Sequence, residues 1–547
     1  MPTYNEKNET FSAPVLKTIG AEAFYNCIGF KKLNLEANTV LETVGAKAFY
    51  QCTNIETMIL PRSVTSIGEY AFAKTTLTTV SMASDVLSKG IFSECSSLTE
   101  INIQDNIFTS VPDYAFYNCQ EFKTDNIFTE VESIGDHSFY HVGFDSFVLS
   151  DNCESIGDYA FGNNKESIKQ IDLNKVKTIG DYAFWECQQL VDVTIPSSVE
   201  EIGKHLFEDC TELEEVTFKV NILNEYMFSG CSKLTTVNFL NGGNQNDTSK
   251  ITKVPAYCFN DCSQLSTLSI ISTESPYLTE IGAFAFNNTA FDKISLTNSQ
   301  NTIGRNAFSN MQSLTEATIN VAMISAQMFY NSKTLAKVTI GSNVLNVINQ
   351  DATDPEDVID GGAFQKCINL KTIIIQNKVI GDYMFDNCSG LVSITIPAGV
   401  DLIGEHALSN CGNLSTVVLN NTVLGASMFE NDSNLHTISL SSQLAEIPYR
   451  AFYKSYLTSV VIPASVQNVG DEAFADSKSL ASVTLNNSKD FFSNFKACFS
   501  SEKRVFRLEF HLFDDKILHV VIRNVGRVRR DEIKFARNVF KKVALNK

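Results

Sequence analysis

The sequence predicts a solenoid of the α/β repeat class, β-rich with short helical turns, in which about 20 coils of 20–25 residues stack in one elongated right-handed array. Three observations predict it. The phrase Ile-Gly-x-x-Ala-Phe recurs, as at Ile19-Gly20 with Phe24, Ile67-Gly68 with Phe72, Ile179-Gly180 with Phe184 and Ile281-Gly282 with Phe286. Its anchoring residue returns 20 times between Phe24 and Phe474, with Leu408 standing in once, mostly every 20 to 25 residues. Composition agrees: 39 Phe against one Trp is what one large side chain, reused at one core position per coil, would leave.

Each coil reads as strand, turn, second extended stretch and short helical turn. Leu190-x-x-Val193-x-Ile195-Pro196 and Leu391-x-x-Ile394-x-Ile396-Pro397 alternate aliphatics with Thr, Ser or Asp, a half-buried strand that proline ends. The Gly of the phrase allows a tight or left-handed turn. Asp or Glu often follows it (Glu69, Asp136, Asp158, Asp181, Asp382, Asp471), which suits the first turn of a short helix. A unit of about 23 residues cannot fold alone, because ordering it costs roughly 35 kcal/mol. Stacking each coil on the next supplies the missing burial.

The intervals stretch to 31 residues between Phe228 and Phe259, 27 between Phe259 and Phe286, and 35 between Phe329 and Phe364, marking insertions at 241–250, 272–277 and 349–360. The third is acidic and reads as a solvated loop, without the calcium-loop pattern. Residues 1–14 form a polar N-terminal lead-in, 15–498 the repeat array and 499–547 a basic segment. Charge divides accordingly. Residues 1–488 carry 28 Lys and Arg against 55 Asp and Glu, a balance of −27, and the last 59 residues carry 15 against 7, a balance of +8. An acidic body argues against nucleic acid as a partner. The N-terminus lacks a basic stretch followed by an apolar one, so no cleavable signal is read, and no run approaches a transmembrane segment.

Candidate chemistry is sparse. Twelve of the 14 Cys sit three residues after the anchor (Cys27, Cys52, Cys95, Cys119, Cys187, Cys210, Cys231, Cys262, Cys367, Cys388, Cys411 and Cys498), with Cys153 and Cys258 off register. No Cys-x-x-Cys pair suggests a metal, so a ladder of small buried side chains is expected, close enough to oxidise but not required to. His137, His205 and His406 take the slot held elsewhere by Tyr70, Tyr159, Tyr182 and Tyr383, and read as amphipathic packing residues. No nucleophile elbow, phosphate loop or dinucleotide fingerprint occurs. No catalytic, cofactor-binding or metal residue is nominated, no cofactor is expected, and the chain reads as a non-enzyme.

The outward side chains of the predicted strands form two neighbouring columns of short hydroxyls. Charges such as Glu100, Asp192, Glu215, Glu316 and Lys337 occur only early and mid-chain. From them a candidate partner-binding face is drawn: Thr194, Thr217, Thr236, Thr267, Thr318, Thr339, Thr372, Thr395, Thr416, Thr437, Ser459 and Thr484. Extended repeat faces commonly meet large partners. The bland alternative is that Thr simply favours exposed sheet.

The unit Ile-Gly-Asp-Tyr-Ala-Phe-x-x-Cys-x-x-Leu-x-x-Val-x-Ile-Pro, matched closely by residues 179–196, resembles the BspA-type leucine-rich repeats, and the resemblance covers about residues 15–488. It implies a leucine-rich-repeat solenoid and an adhesion protein at a cell surface, or secreted by a route without a visible signal peptide. The implied partners are host, matrix or microbial proteins or glycans, extracellular-matrix proteins among them. The alternative is an intracellular, cytoplasmic scaffold for protein–protein interaction.

Residues 499–547 change character. Phe506, Leu508, Phe510 and Leu512 alternate as a strand, 517–522 can return as its hairpin partner, and Ile533, Ala536, Phe540 and Val543 recur near helical spacing among Lys and Arg. Three readings stand: a ββα cap over the last coil, a basic helix in peripheral contact with a membrane or a partner, or a gene-model artefact such as a shifted frame.

Overall fold

The computed structural model describes residues 3–5, 10–12 and 15–485 apart from gaps at 30, 84, 104–107, 124–125, 145–146, 241–250, 272–277, 298–301 and 348–361, together with 506–513 and 517–524. The chain divides into two compact units, Met1–Ile270 and Ile271–Lys547. Each is a parallel β-solenoid, and most coils begin with the expected strand. In the first unit Gln170–Asp172, Asp192–Ile195, Glu215–Phe218 and Thr236–Phe239 pair in parallel, with Val193 opposite Val216 and then Val237. In the second, Lys293–Leu296, Glu316–Ile319, Lys337–Ile340 and Thr372–Ile375 do the same. The second extended stretch is a two-residue strand with its own sheet, as in Ser133–Ile134, Ser155–Ile156 and Thr178–Ile179. Pro196 and Pro397 each open the turn after a strand, their carbonyls accepting from Val199 and Val400.

The expected short helical turn is absent: no α-helix occurs among the described residues. The Gly-x-x-Ala-Phe segment is a string of turns, and the backbone hydrogen bonds of residues 157–163 show why. Gly157 donates back to Ile134 and Asp158 to Asp136 Oδ1, whereas Tyr159, Phe161 and Asn163 donate forward to Asp181, Ala183 and Trp185. Ala160 and Gly162 close turns on Gly157 and Tyr159. A helix would use all these N–H groups internally; here alternate ones stitch coil to coil. Turning them outward requires a left-handed residue twice per coil, at φ 53° for Tyr159 and 58° for Asn163. Each such non-glycine residue costs about 1–2 kcal/mol, which the inter-coil bonds and ring stacking offset.

Two sequence readings are corrected with it. The acid after the Gly does not cap a helix. Asp113, Asp136, Asp158, Asp181 and Asp382 each use Oδ1 to accept the N–H of the corresponding residue one coil on, at 2.7–3.1 Å. The Gly serves close approach rather than a left-handed turn. A Cβ on Gly180 would lie 2.6 Å from the Asp158 nitrogen and 2.6 Å from the Gly157 carbonyl carbon, and no left-handed φ is recorded there.

The anchors form the core. Nineteen of the 20 are at most 1% exposed and Phe24 is half-buried. Consecutive rings stack nearly parallel: Phe161, Phe184 and Phe207 are 5.4 and 5.6 Å apart, and Phe308, Phe329 and Phe364 are 5.5 and 5.3 Å apart. Offset pairs of this kind contribute about 0.5–1.5 kcal/mol each beyond burial.

Beyond the repeats, Phe506–Phe513 and Ile517–Asn524 form the expected antiparallel hairpin, and the latter pairs antiparallel with the repeat strand Ser482–Leu485. The three insertions, Cys498, and the helix expected around 533–543 lie outside the described residues.

Candidate partner-binding face

Alternation along each four-residue strand sends two side chains inward and two outward. Asp192–Ile195 and Ser393–Ile396 both run exposed, buried, exposed, buried. Parallel pairing then aligns equivalent residues into columns. Thr194 lies opposite Thr217, Thr318 opposite Thr339, and Thr416 opposite Thr437; Thr236 follows Glu215, Thr372 follows Lys337, and Thr395 faces Val418. Ser459 pairs with Ser482, and Thr484 with Val461. Eleven of the twelve nominated residues stand on strands, half-buried or exposed. Thr267 is exposed but on no strand, because the chain makes a 3-10 turn at Ser269–Ile271 where a strand was expected. A parallel strand needs paired neighbours, and insertions interrupt the repeat on either side of this one.

The columns also contain residues that sequence reading passed over. Gln170 and Asp172 stand beside Asp192 and Thr194, and Lys293 and Ser295 beside Glu316 and Thr318. Their signal was the same alternation with the leading Leu replaced, by Ile168 and Phe291.

Charge varies along the columns. In the first unit Asp172, Asp192 and Glu215 make the sheet acidic, with Gln170 donating to Asp192 at 3.3 Å and Asn238 to Glu215 at 2.7 Å. In the second, Glu316 lies between Lys337 at 2.6 Å and Lys293 at 3.8 Å. The hydrogen bond from Lys337 holds the Glu316 carboxyl below its usual range. From Thr372 to Thr484 the columns hold Thr, Ser, Ile and Val with no charge, and Val461 is 53% exposed.

The other candidate groups are structural. Every described Cys is a free thiol. The ladder thiols donate to the anchor carbonyl of the preceding coil, as Cys187 does to Phe161 at 3.2 Å and Cys210 to Phe184 at 3.1 Å. Burial pushes the thiols of Cys52 and Cys95 up to about 11, the opposite of a reactive cysteine. His137 and His205 belong to a continuous ring stack, Tyr114, His137, Tyr159, Tyr182, His205, Tyr226 and Tyr257, with centroids 4.1–4.8 Å apart. Among the described residues no group of three or more His, Cys, Asp or Glu is placed to hold a metal, and no helix is long and apolar enough to cross a membrane.

The arrangement defines a class: a repeat scaffold whose developed surface is a parallel sheet of short side chains. The chain belongs to the BspA-type leucine-rich-repeat family, whose six-copy model matches residues 17–143, 132–248, 244–352 and 357–503. Among solved structures it is similar to a leucine-rich repeat protein from Bacteroides ovatus, at 21% identity over 88% of this chain and 92% of that one with a TM-score of 0.39. It is also similar to a leucine rich cell surface protein from Faecalibacterium prausnitzii, at 17% identity over 92% and 96% with a TM-score of 0.27. The pneumococcal vaccine antigen PcpA matches at 16% identity over 62% and 80% with a TM-score of 0.29. No curated protein matches.

Proposed function

We propose that the chain is a non-enzymatic adhesion protein, displayed at a cell surface, that captures a protein or glycan partner on the sheet face between Thr372 and Thr484. The observation that carries this is the uncharged run of those columns in a chain whose net charge is −19. Hydroxyls of Thr395, Thr416 and Thr437 offer hydrogen bonds without the desolvation cost of buried charge, and Ile374 and Val461 offer apolar contact. Leucine-rich repeats bind proteins, and the similar protein from Faecalibacterium prausnitzii is a cell surface protein. The test is the double variant Thr395→Lys with Thr416→Lys, assayed on immobilised matrix proteins and glycans beside Gln443→Lys, which lies off the sheet. The double variant should lose binding at least tenfold with an unchanged thermal melt. Undiminished binding would place the contact elsewhere.

One observation favours a second reading, an intracellular scaffold: the thiols among the described residues are free, as in a reducing compartment. Protease shaving of intact cells separates the two, since a chain cleaved only after lysis is not displayed.

A further inference from the structure

We propose that Asp432 is held as a neutral, protonated carboxylic acid that takes the place of an asparagine amide in the ladder, making its coil a joint that weakens as pH rises. Asn164, three residues after its anchor Phe161, shows how the slot is bonded when an amide fills it. Its Oδ1 accepts the Val142 N–H of the preceding coil at 2.6 Å. Its Nδ2 donates to two anchor carbonyls, Phe139 at 2.9 Å and its own Phe161 at 2.7 Å. Asp432 stands three residues after Phe429, and its Oδ1 accepts the N–H of Cys411 at 2.8 Å. Cys411 follows Leu408 as Val142 follows Phe139, so the two side chains sit in one register. The Asp432 Oδ2 therefore occupies the place of the amide nitrogen, beside positions filled by carbonyls. It is buried and no donor reaches it. Polar ladder residues in this slot commonly give a proton to an anchor carbonyl, as the Cys411 thiol does to Phe385 at 3.3 Å. An ionised Asp432 has none to give; the protonated acid does.

The groups packed around it favour the neutral form. Behind it lie Cys411 and, one coil further, Asp386, which accepts from Ser409, Asn410, Gln365 and Asn387. Ahead lies Ser455, engaged with Ser477 at 3.1 Å and unable to titrate in this range. On the half-exposed side, Glu430 faces His406 at 4.0 Å. Burial first, then the Asp386 charge, raise the Asp432 carboxyl well above its ordinary range, against the pull of the Cys411 N–H. The sign follows. A carboxyl of unfolded value about 3.9 that stays protonated when folded makes the native state hold the extra proton. The contribution of Asp432 to stability is then greatest at low pH and declines from about pH 4 upward until the folded value is passed.

The full chain, carbon-labelled at Asp, tests this by NMR across pH 3–9, with Asp432→Asn as assignment control and stability comparator. Asp432 should keep the chemical shift of a protonated acid at pH 7. Asp432→Asn should melt higher than the wild type at pH 8, with the gap closing toward pH 4. An Asp432 signal that titrates with the exposed aspartates near pH 4, or a gap that does not change with pH, overturns the proposal. If Asp432→Asn does not fold, Asp432→Cys, the usual ladder residue, supplies the assignment and the pH-insensitive comparator, and a wild-type signal ionised at pH 7 still refutes it.

Discussion

At the residue scale, one large side chain per coil anchors the core and one more directs the backbone. Phe184 is fully buried between Phe161 and Phe207, whereas Phe24 is half-buried. Phe184→Ala should cost about 3–5 kcal/mol, and Phe24→Ala clearly less, as shifts of the urea midpoint. Equal losses would mean that stacking is not what holds the coils. The slot three residues on mostly holds Cys, Ser, Asn or Thr, each able to present a donor to a main-chain carbonyl, as Ser332 does to Phe308 at 3.3 Å and Ser477 to Phe452 at 2.9 Å, while Val142 and Met311 fill it without a donor. What looked like a cysteine motif is a preference for a small donor.

At the element scale, the turn string explains residues that look unrelated in sequence. Asn or Asp directly before the slot (Asn118, Asn163, Asp209, Asp261, Asn387, Asn410) marks a left-handed backbone position that Gly230 also fills. That preference was readable, since Asn, Asp and Gly tolerate φ > 0 best, but the acid after the Gly suggested a short helix over this segment instead. Gly180→Ala isolates the other constraint. Its φ is open to alanine, so any loss must come from the collision with Asp158 and Gly157 in the preceding coil. A loss on the order of 1–3 kcal/mol is expected, as for other overpacked sites, read as a lower thermal midpoint. A variant as stable as the wild type would remove close approach as the reason for the glycine.

At the scale of the whole molecule, stacked coils leave their last strand with an open edge. The hairpin of 506–513 and 517–524 lies antiparallel on Ser482–Leu485 and occupies that edge. Unpaired edges recruit other chains. Deleting residues 499–547 should therefore produce concentration-dependent aggregation and an earlier melt, measured by light scattering and circular dichroism. If instead the truncated protein is stable and monomeric but no longer binds anionic liposomes, the segment is a membrane contact and not a cap. If neither property changes, the transcript should be sequenced to establish that these residues are translated.

Periodicity by itself determined the stacked parallel coils, the strand that begins most of them, the buried anchors and the outward columns. These depend only on the spacing of apolar side chains, and burial leaves one way to satisfy that spacing. Leu190-x-x-Val193-x-Ile195 could hardly be anything else once its neighbours repeat it. Tertiary structure decided the Gly-x-x-Ala-Phe segment, the bonding of Asp158 and the orphan oxygen of Asp432. In the first two cases the partner of a backbone or side-chain polar group lies a full coil away, about 20 residues or more along the chain, and in the third the surroundings that leave the oxygen bare come from neighbouring coils, where no local propensity registers them. Thr267 makes the same point in reverse: its sequence alternates like a strand, and lacking paired neighbours it is not one.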